Sequence, residues 1–237
     1  MIVFLISIVL SACSQETETQ VGNQPPDQQN VIVESPFPEI EMGNTGEYYV
    51  ATNGNDYARG NEKHPWRTIQ HAVNKLKPGN TLYLRAGMYE GSVQISHSGI
   101  QDKPITVTSY PGEDVTITGG NQPAIVGDAD YWIIDSLDLT SEYKWTVRLN
   151  SSYWQVSNND IKGGVYIWGN NNVVINNEII GTPHAEIGVM DDGATSYLNR
   201  YLFNRIHDFR IRGIWSQWFT HNNLFEGNQV YNITGED

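Results

Sequence analysis

The chain has 237 residues and a formal net charge of −13, with 17% charged residues, 22 Gly, 13 Tyr and 7 Trp. That mix favours many strands and tight turns over helices, and the length allows one large all-β domain with extensions. No basic stripe suggests a nucleic-acid partner, and the single cysteine, Cys13, excludes an intramolecular disulfide.

The acid is concentrated at the start. Residues 1–47 hold seven acids and no Lys or Arg, whereas the rest holds 20 acids against 14 bases. An apolar run from Ile2 to Leu10 leads into Leu10-Ser11-Ala12-Cys13. The run is too short to span a bilayer, which takes about 20 helical residues, and has the length of a signal-peptide core. Leu-Ser-Ala-Cys resembles the bacterial lipobox, although no Lys or Arg precedes the apolar run. The resemblance implies cleavage before Cys13 and lipidation of its thiol and amine. Several acyl chains on one residue anchor stably, and Ser14 implies sorting to the outer membrane. A lipid-anchored protein of the bacterial cell envelope is therefore expected, with residues 1–13 as its signal segment. Residues 14–46 are rich in Gln, Glu, Asn and Pro without apolar periodicity. They read as a disordered tether with a reach of about 110 Å when extended.

A folded domain is expected over 47–237, opening with Tyr48-Tyr49-Val50 and a loop from Asn53 to Pro65. A helix follows over Trp66–Lys77, where Ile69, Ala72, Val73 and Leu76 form one apolar stripe. Pro78-Gly79 stops it. One amphipathic helix ahead of a β-array suits a cap over the first rung.

Short strands follow. The early ones are 81–84, 93–95, 105–108 and 115–118. From residue 124 two sets align: 124–126, 147–149, 165–167, 187–189 and 213–215, then 132–134, 154–156, 173–175, 201–203 and 223–225. Each repeat closes on Asn, a polar residue, and Ile or Val, beginning at Asn159, Asn177, Asn204 and Asn228, with Leu137-Asp138-Leu139 as an imperfect first copy. The spacings are 18, 27 and 24 residues. Several strands per turn at a variable period describe a parallel β-helix; a propeller needs about 40–45 residues per blade. The repeated Asn residues are expected to bond rung to rung as scaffold.

The segments YYVATNGND, HPWRTIQHAVNKLKPGNTLYLRAGMYEG and KPITVTSYPGEDVTITG resemble the N-terminal module of the right-handed parallel β-helix superfamily of extracellular bacterial proteins. That module occurs on polysaccharide lyases similar to pectate lyase and chondroitinase B. The usual motif has Asp where this chain has Asn80. The resemblance implies the fold and a carbohydrate-active protein, without the calcium-and-lysine pattern of one lyase family. No polar capping rung follows the last Asn-x-Val segment, so further rungs are expected after Asp237.

The link from each Asn-x-Ile to the next strand collects ionisable groups. These are Lys162, then His184 and Glu186, then His207, Asp208, Arg210 and Arg212, then Glu236 and Asp237. At a rung spacing of about 4.8 Å they would line one strip. Trp168, Trp215 and Trp218, with His184, are candidates for holding sugar rings, or the Trp residues fill the coil. Lys162, His207, Arg210 and Arg212 are candidates to remove a C5 proton or neutralise a uronate carboxylate, with Glu186 as an acid or base. Asp191, Asp192 and Asp208 are candidate calcium ligands; Asp191-Asp192-Gly193 is equally a turn signal. The leading expectation is a monomeric polysaccharide lyase acting on a uronate-containing glycan. A non-catalytic glycan-binding or adhesive lipoprotein and a β-helix glycoside hydrolase remain open beside it.

Overall fold

The computed structural model describes residues 46–193, 196–217 and 219–235. Cys13, the expected leader and the tether to residue 45 lie outside the described residues, as do Trp218, Glu236 and Asp237. Among those described, strands stack in parallel register into a β-solenoid with three faces.

The first sheet has eight strands, from Glu47–Val50 and Thr81–Leu84 through to Arg200–Leu202 and Leu224–Glu226. The second runs from Gly87–Glu90 and Val115–Thr118 to Arg205–His207 and Gln229–Tyr231. The third runs from Val93–Ile95 to Arg212–Ser216. Two long strands, Asp138–Leu149 and Asp160–Ile167, serve both the second and the third sheet.

Strand alternation puts every second residue inside. Leu82, Val107, Ile134, Val156, Val174 and Tyr201 stack as one inward column of the first sheet. Ile117, Leu139, Ile161, Ile179 and Ile206 do the same in the second. All of these are buried.

The corner between the first and second sheets is made by an Asn pair. Asn158 and Asn176 each take a positive φ of 56°, which Asn tolerates better than most residues. The next residue is the ladder Asn. Asn177 Oδ1 accepts the backbone N–H and the Nδ2–H of Asn159, each at 3.0 Å. Asn204 accepts the same pair from Asn177 at 3.0 Å, and Asn228 from Asn204 at 2.9 Å. The expected ladder is present.

A second ladder stands at the corner into the first sheet. Asn199 Oδ1 accepts the Asn172 N–H at 2.8 Å, and Asn223 accepts that of Asn199 at 2.8 Å. Below Asn172, the column continues as Trp154 and Trp132, which stack with centroids 6.2 Å apart. This ladder corrects two expected strands. Those at 201–203 and 223–225 are Arg200–Leu202 and Leu224–Glu226, because Phe203 forms the next corner at φ 54° and Asn223 belongs to the ladder. The strand Gly87–Glu90 was not expected.

The helix is also shorter than expected, Ile69–Val73 rather than 66–77. Trp66 bridges Val50 as extended chain, exchanging hydrogen bonds with Tyr49 and Ala51. The helix can start only after Thr68, whose hydroxyl caps it by accepting the His71 N–H. Asp56 Oδ1 accepts the Arg67 and Thr68 N–H groups at 2.9 Å. Ile69, Ala72, Val73 and Leu76 are buried, so the stripe still covers the coil end.

Asn177 sits in mid-ladder, 2% exposed. Asn177→Ala strips the acceptor from two Asn159 donors and should cost about 1–3 kcal/mol, read by chemical denaturation. An unchanged midpoint would remove the ladder from the list of stabilising features.

Candidate functional site

The outward residues of the third sheet build a groove. Register stacks Arg148, Tyr166, Met190 and Trp215 on consecutive strands. Around them lie two shallow depressions that share Arg148. One, of about 320 Å³, is lined by Tyr143, Lys144, Trp145, Tyr166, Met190 and Asp192. The other, of about 370 Å³, is lined by Asn150, Ser151, Ser152, Trp168 and Asn170.

Arg148 is held from below. Its Nε donates to Asn150 Oδ1 at 3.2 Å, and Asn150 Nδ2 donates to Asp128 Oδ1 at 2.6 Å. Tyr166 packs against Trp145 with centroids 5.4 Å apart, and the Lys144 ammonium lies 5.7 Å from the Trp145 ring centroid. The Tyr166 hydroxyl donates to Asp192 Oδ2 at 3.2 Å. Burial, and then the Asp192 carboxylate, push the Tyr166 pKa up to about 12. Trp168 is half exposed and backs onto Gly193, where a Cβ would come within 2.8 Å of its Nε1.

Of the expected site residues, Asp192 and Trp168 line these depressions, and Trp215 ends the outward column beside them. Asp191 and Asp192 cannot share a calcium ion, because Asp191 is buried inside the coil whereas Asp192, just past the strand end, lines the outer groove. Asp191 is fully buried inside the coil. It accepts from Ser196 and, at 2.6 Å, from Asn223 Nδ2, and burial holds its carboxyl above the usual range.

The expected strip separates into three groups. Lys162 and His207 share an outward column of the second sheet, two rungs apart. His207 bonds Asp208 at 2.7 Å and Glu178 at 3.1 Å and stacks on Tyr231 at 4.6 Å. Glu178 also pairs with Arg205 at 3.1 Å. Arg210 pairs with Glu186 in the link between sheets, beside a cleft that Asp208 also lines. Arg212 begins the strand Arg212–Ser216 of the third sheet and lies over Trp215, 4.3 Å from its centroid, so that face of the indole is covered by guanidinium. His184 is exposed in the turn between Thr182 and Ala185. The separation follows from the corner: the chain changes sheet between Asp208 and Arg212.

Lys144, Trp145, Arg148 and Tyr166 were not expected. Lys144 occupies the link one rung before Lys162, since Trp145 pairs with Gly164. That link follows the imperfect first copy, Leu137-Asp138-Leu139, in which Leu stands where later repeats have Asn. Alternation about Val147 and Leu149 already places Arg148 outward.

Among the described residues, no three Asp, Glu, His or Cys side chains converge as a metal ion would require. The expected calcium ligands Asp191, Asp192 and Asp208 do not converge on one point and so do not fit the ion.

The model of the family described as "Pel9A-like, right handed beta helix region" matches residues 48–212. The chain is 32% identical over 120 residues to pectate lyase PEL9 of Emericella nidulans, a match covering 50% of this chain and 28% of that protein. The coil resembles the GH136 lacto-N-biosidase of Eubacterium ramulus, with a TM-score of 0.64 at 14% identity, covering 78% of this chain and 45% of that one. It also resembles the alginate lyase of Paenibacillus sp. str. FPU-7, with a TM-score of 0.61 at 20% identity, covering 70% and 65%. At such identities the structural likeness shows the fold alone. The chain spans about a quarter of the length of the pectate lyase it matches.

One acid of the second sheet lies in an unfavourable place. Asp160 stacks between Asp138 and Glu178, and its buried Oδ1 has no hydrogen-bond partner. Burial raises its carboxyl pKa, with Asp138 and Glu178 adding to the rise against Lys162. The folded chain therefore binds this proton more tightly than the unfolded chain, and ionisation costs stability as pH rises. Asp160→Asn should raise the denaturation midpoint at neutral pH, and the gain should fade as pH falls through the carboxylate range. A gain of equal size at acid pH would contradict the electrostatic cause.

Proposed function

The chain belongs to the Pel9A-like right-handed β-helix family, and from that premise we propose that it binds an acidic polysaccharide along its third sheet and cleaves it by β-elimination. The observation that carries this reading is the guanidinium of Arg148 at the junction of two sugar-sized depressions, with Lys144 beside it.

Each group has a role. Arg148, oriented through Asn150, pairs with the uronate carboxylate and makes the C5 proton more acidic. Lys144 meets the substrate as an ammonium and, once it has passed its own proton to water, takes the C5 proton. The C5–H electron pair becomes the C4–C5 double bond, and the bond from C4 to the glycosidic oxygen breaks. Tyr166 keeps its proton up to about pH 12, so it can protonate the departing oxygen. Trp168 offers an aromatic face to a neighbouring ring.

The test is incubation with pectate, alginate and chondroitin sulfate, following the ultraviolet absorbance of the unsaturated uronate product. Arg148→Ala should lower kcat about a hundredfold, with Arg148→Lys recovering part of it. New reducing ends without unsaturation would mean a glycoside hydrolase. Binding with neither product would mean a glycan-binding surface protein.

The anchor is a separate proposal, resting on the lipobox-like Leu10-Ser11-Ala12-Cys13. Lipidation at Cys13 would hold the β-helix at the bacterial envelope on the tether that follows. Cys13→Ser should move the protein out of the detergent phase on partitioning, or leave its leader uncleaved. A mature, detergent-soluble Cys13→Ser protein would sink the anchor.

A further inference from the structure

The two depressions of the groove differ in charge. The one holding Lys144 and Arg148 carries two cations against the single carboxylate of Asp192. In the other, Arg148 is the only charged group among the described lining residues, and the remainder are hydroxyl, amide, glycine and indole groups.

The surroundings of that second depression are acidic. Asn150 stacks on Asp128, whose carboxylate accepts its amide at 2.6 Å. Ser152 lies above Asp130, which accepts the Ser152 N–H at 2.9 Å. On the opposite side, Asp192 follows the Asp191 that pairs with Ile167, so it lies one rung beyond Trp168. A ring resting over Trp168 and Ser152 therefore has carboxylates on both flanks at distances of about one rung, near 4.8 Å. A second uronate there would meet like charge in a partly desolvated groove, and that repulsion discriminates between partners. A neutral ring would meet hydroxyl and amide groups and the half-exposed indole.

Resting on the lyase reading above, we infer that adjacent subsites select unlike residues. A uronate sits at Lys144 and Arg148, and an uncharged unit, neutral or esterified, sits over Trp168 and Ser152. The substrate class is then an acidic polysaccharide of mixed charge rather than a uniformly charged uronate polymer. Asp128 and Asp130 are the specificity-determining residues.

The experiment compares polygalacturonate with its partly methyl-esterified form at matched chain length, by calorimetric binding at low ionic strength and by initial rate. The expected result is a preference of about tenfold for the partly esterified polymer. Asp128→Asn with Asp130→Asn keeps both hydrogen-bond acceptors and removes both charges, and should cut that preference at least by half while the variant melts as a folded protein. Equal or tighter binding of the fully charged polymer overturns the inference and leaves the lyase reading standing. So does a preference that the double variant does not change. Failure of both polymers to bind overturns the inference, and the lyase reading falls with it only if alginate and chondroitin sulfate are also neither bound nor cleaved.

Discussion

The structure depends on one repeated contact, the hydrogen bond from an Asn backbone N–H to the side-chain oxygen of the Asn one rung on. In Asn159, Asn177, Asn204 and Asn228 that oxygen also takes the neighbouring amide, so each buried side chain satisfies the next. A one-residue slip between rungs would break these pairs and turn every inward side chain out. The ladder therefore fixes register against the weakest point of a parallel sheet, its tolerance of sliding. The second ladder, Asn172 to Asn223, does so at another corner. The pinned corner into the first sheet still varies in length, 192–199 against 168–172, and so does the unpinned link from the second sheet to the third.

That link is where the chemistry gathers. The insertion of Tyr143, Lys144 and Trp145 lies within the long strand Asp138–Leu149, between its second-sheet and third-sheet halves. Pairing is irregular there, with register shifts between Lys162 and Val165 on the facing strand. A Gly at 163, with φ 126°, leaves room for Thr146, whose hydroxyl donates to the Lys162 carbonyl at 2.7 Å. Irregularity beside a rigid sheet is a way to aim side chains without loosening the scaffold.

Much of the fold was legible because its signals are local and repeated. The Asn-x-Ile segments, the alternating strands and the stripe of Ile69 to Leu76 are all present in sequence at fixed spacing. The second ladder was less legible, because its lower rungs use Trp132 and Trp154 where Asn stands above. The site was legible only in part. Lys144 was not legible because it stands in an insertion: Lys162 pairs with Thr140 but Gly164 with Trp145, a length difference that spacing alone does not locate. Asp191 looked like a ligand because it adjoins Asp192, yet the alternation that places Val189 inside places Asp191 inside too. Long-range pairing decided the rest: Arg210 finds Glu186 and Arg212 finds Trp215 only once the links are folded.

Asp191 shows how interior and groove are coupled. A carboxylate inside an apolar coil is costly unless it is hydrogen-bonded. Here it gathers Ser196, Asn199 and Asn223, the last two being members of the second ladder. Those bonds tie the strand Ile187–Asp191 to the corner and so fix where the chain emerges at Asp192. Asp192 in turn accepts from Tyr166, and Gly193 leaves the space into which Trp168 packs. A polar group at the centre of the solenoid thus sets the position of three groups on its surface. A coil built of repeats shares its backbone with many proteins, so its chemistry must come from such departures from the repeat. Asp191, through Asp192, and the inserted Lys144 are two such departures at the groove that holds Arg148.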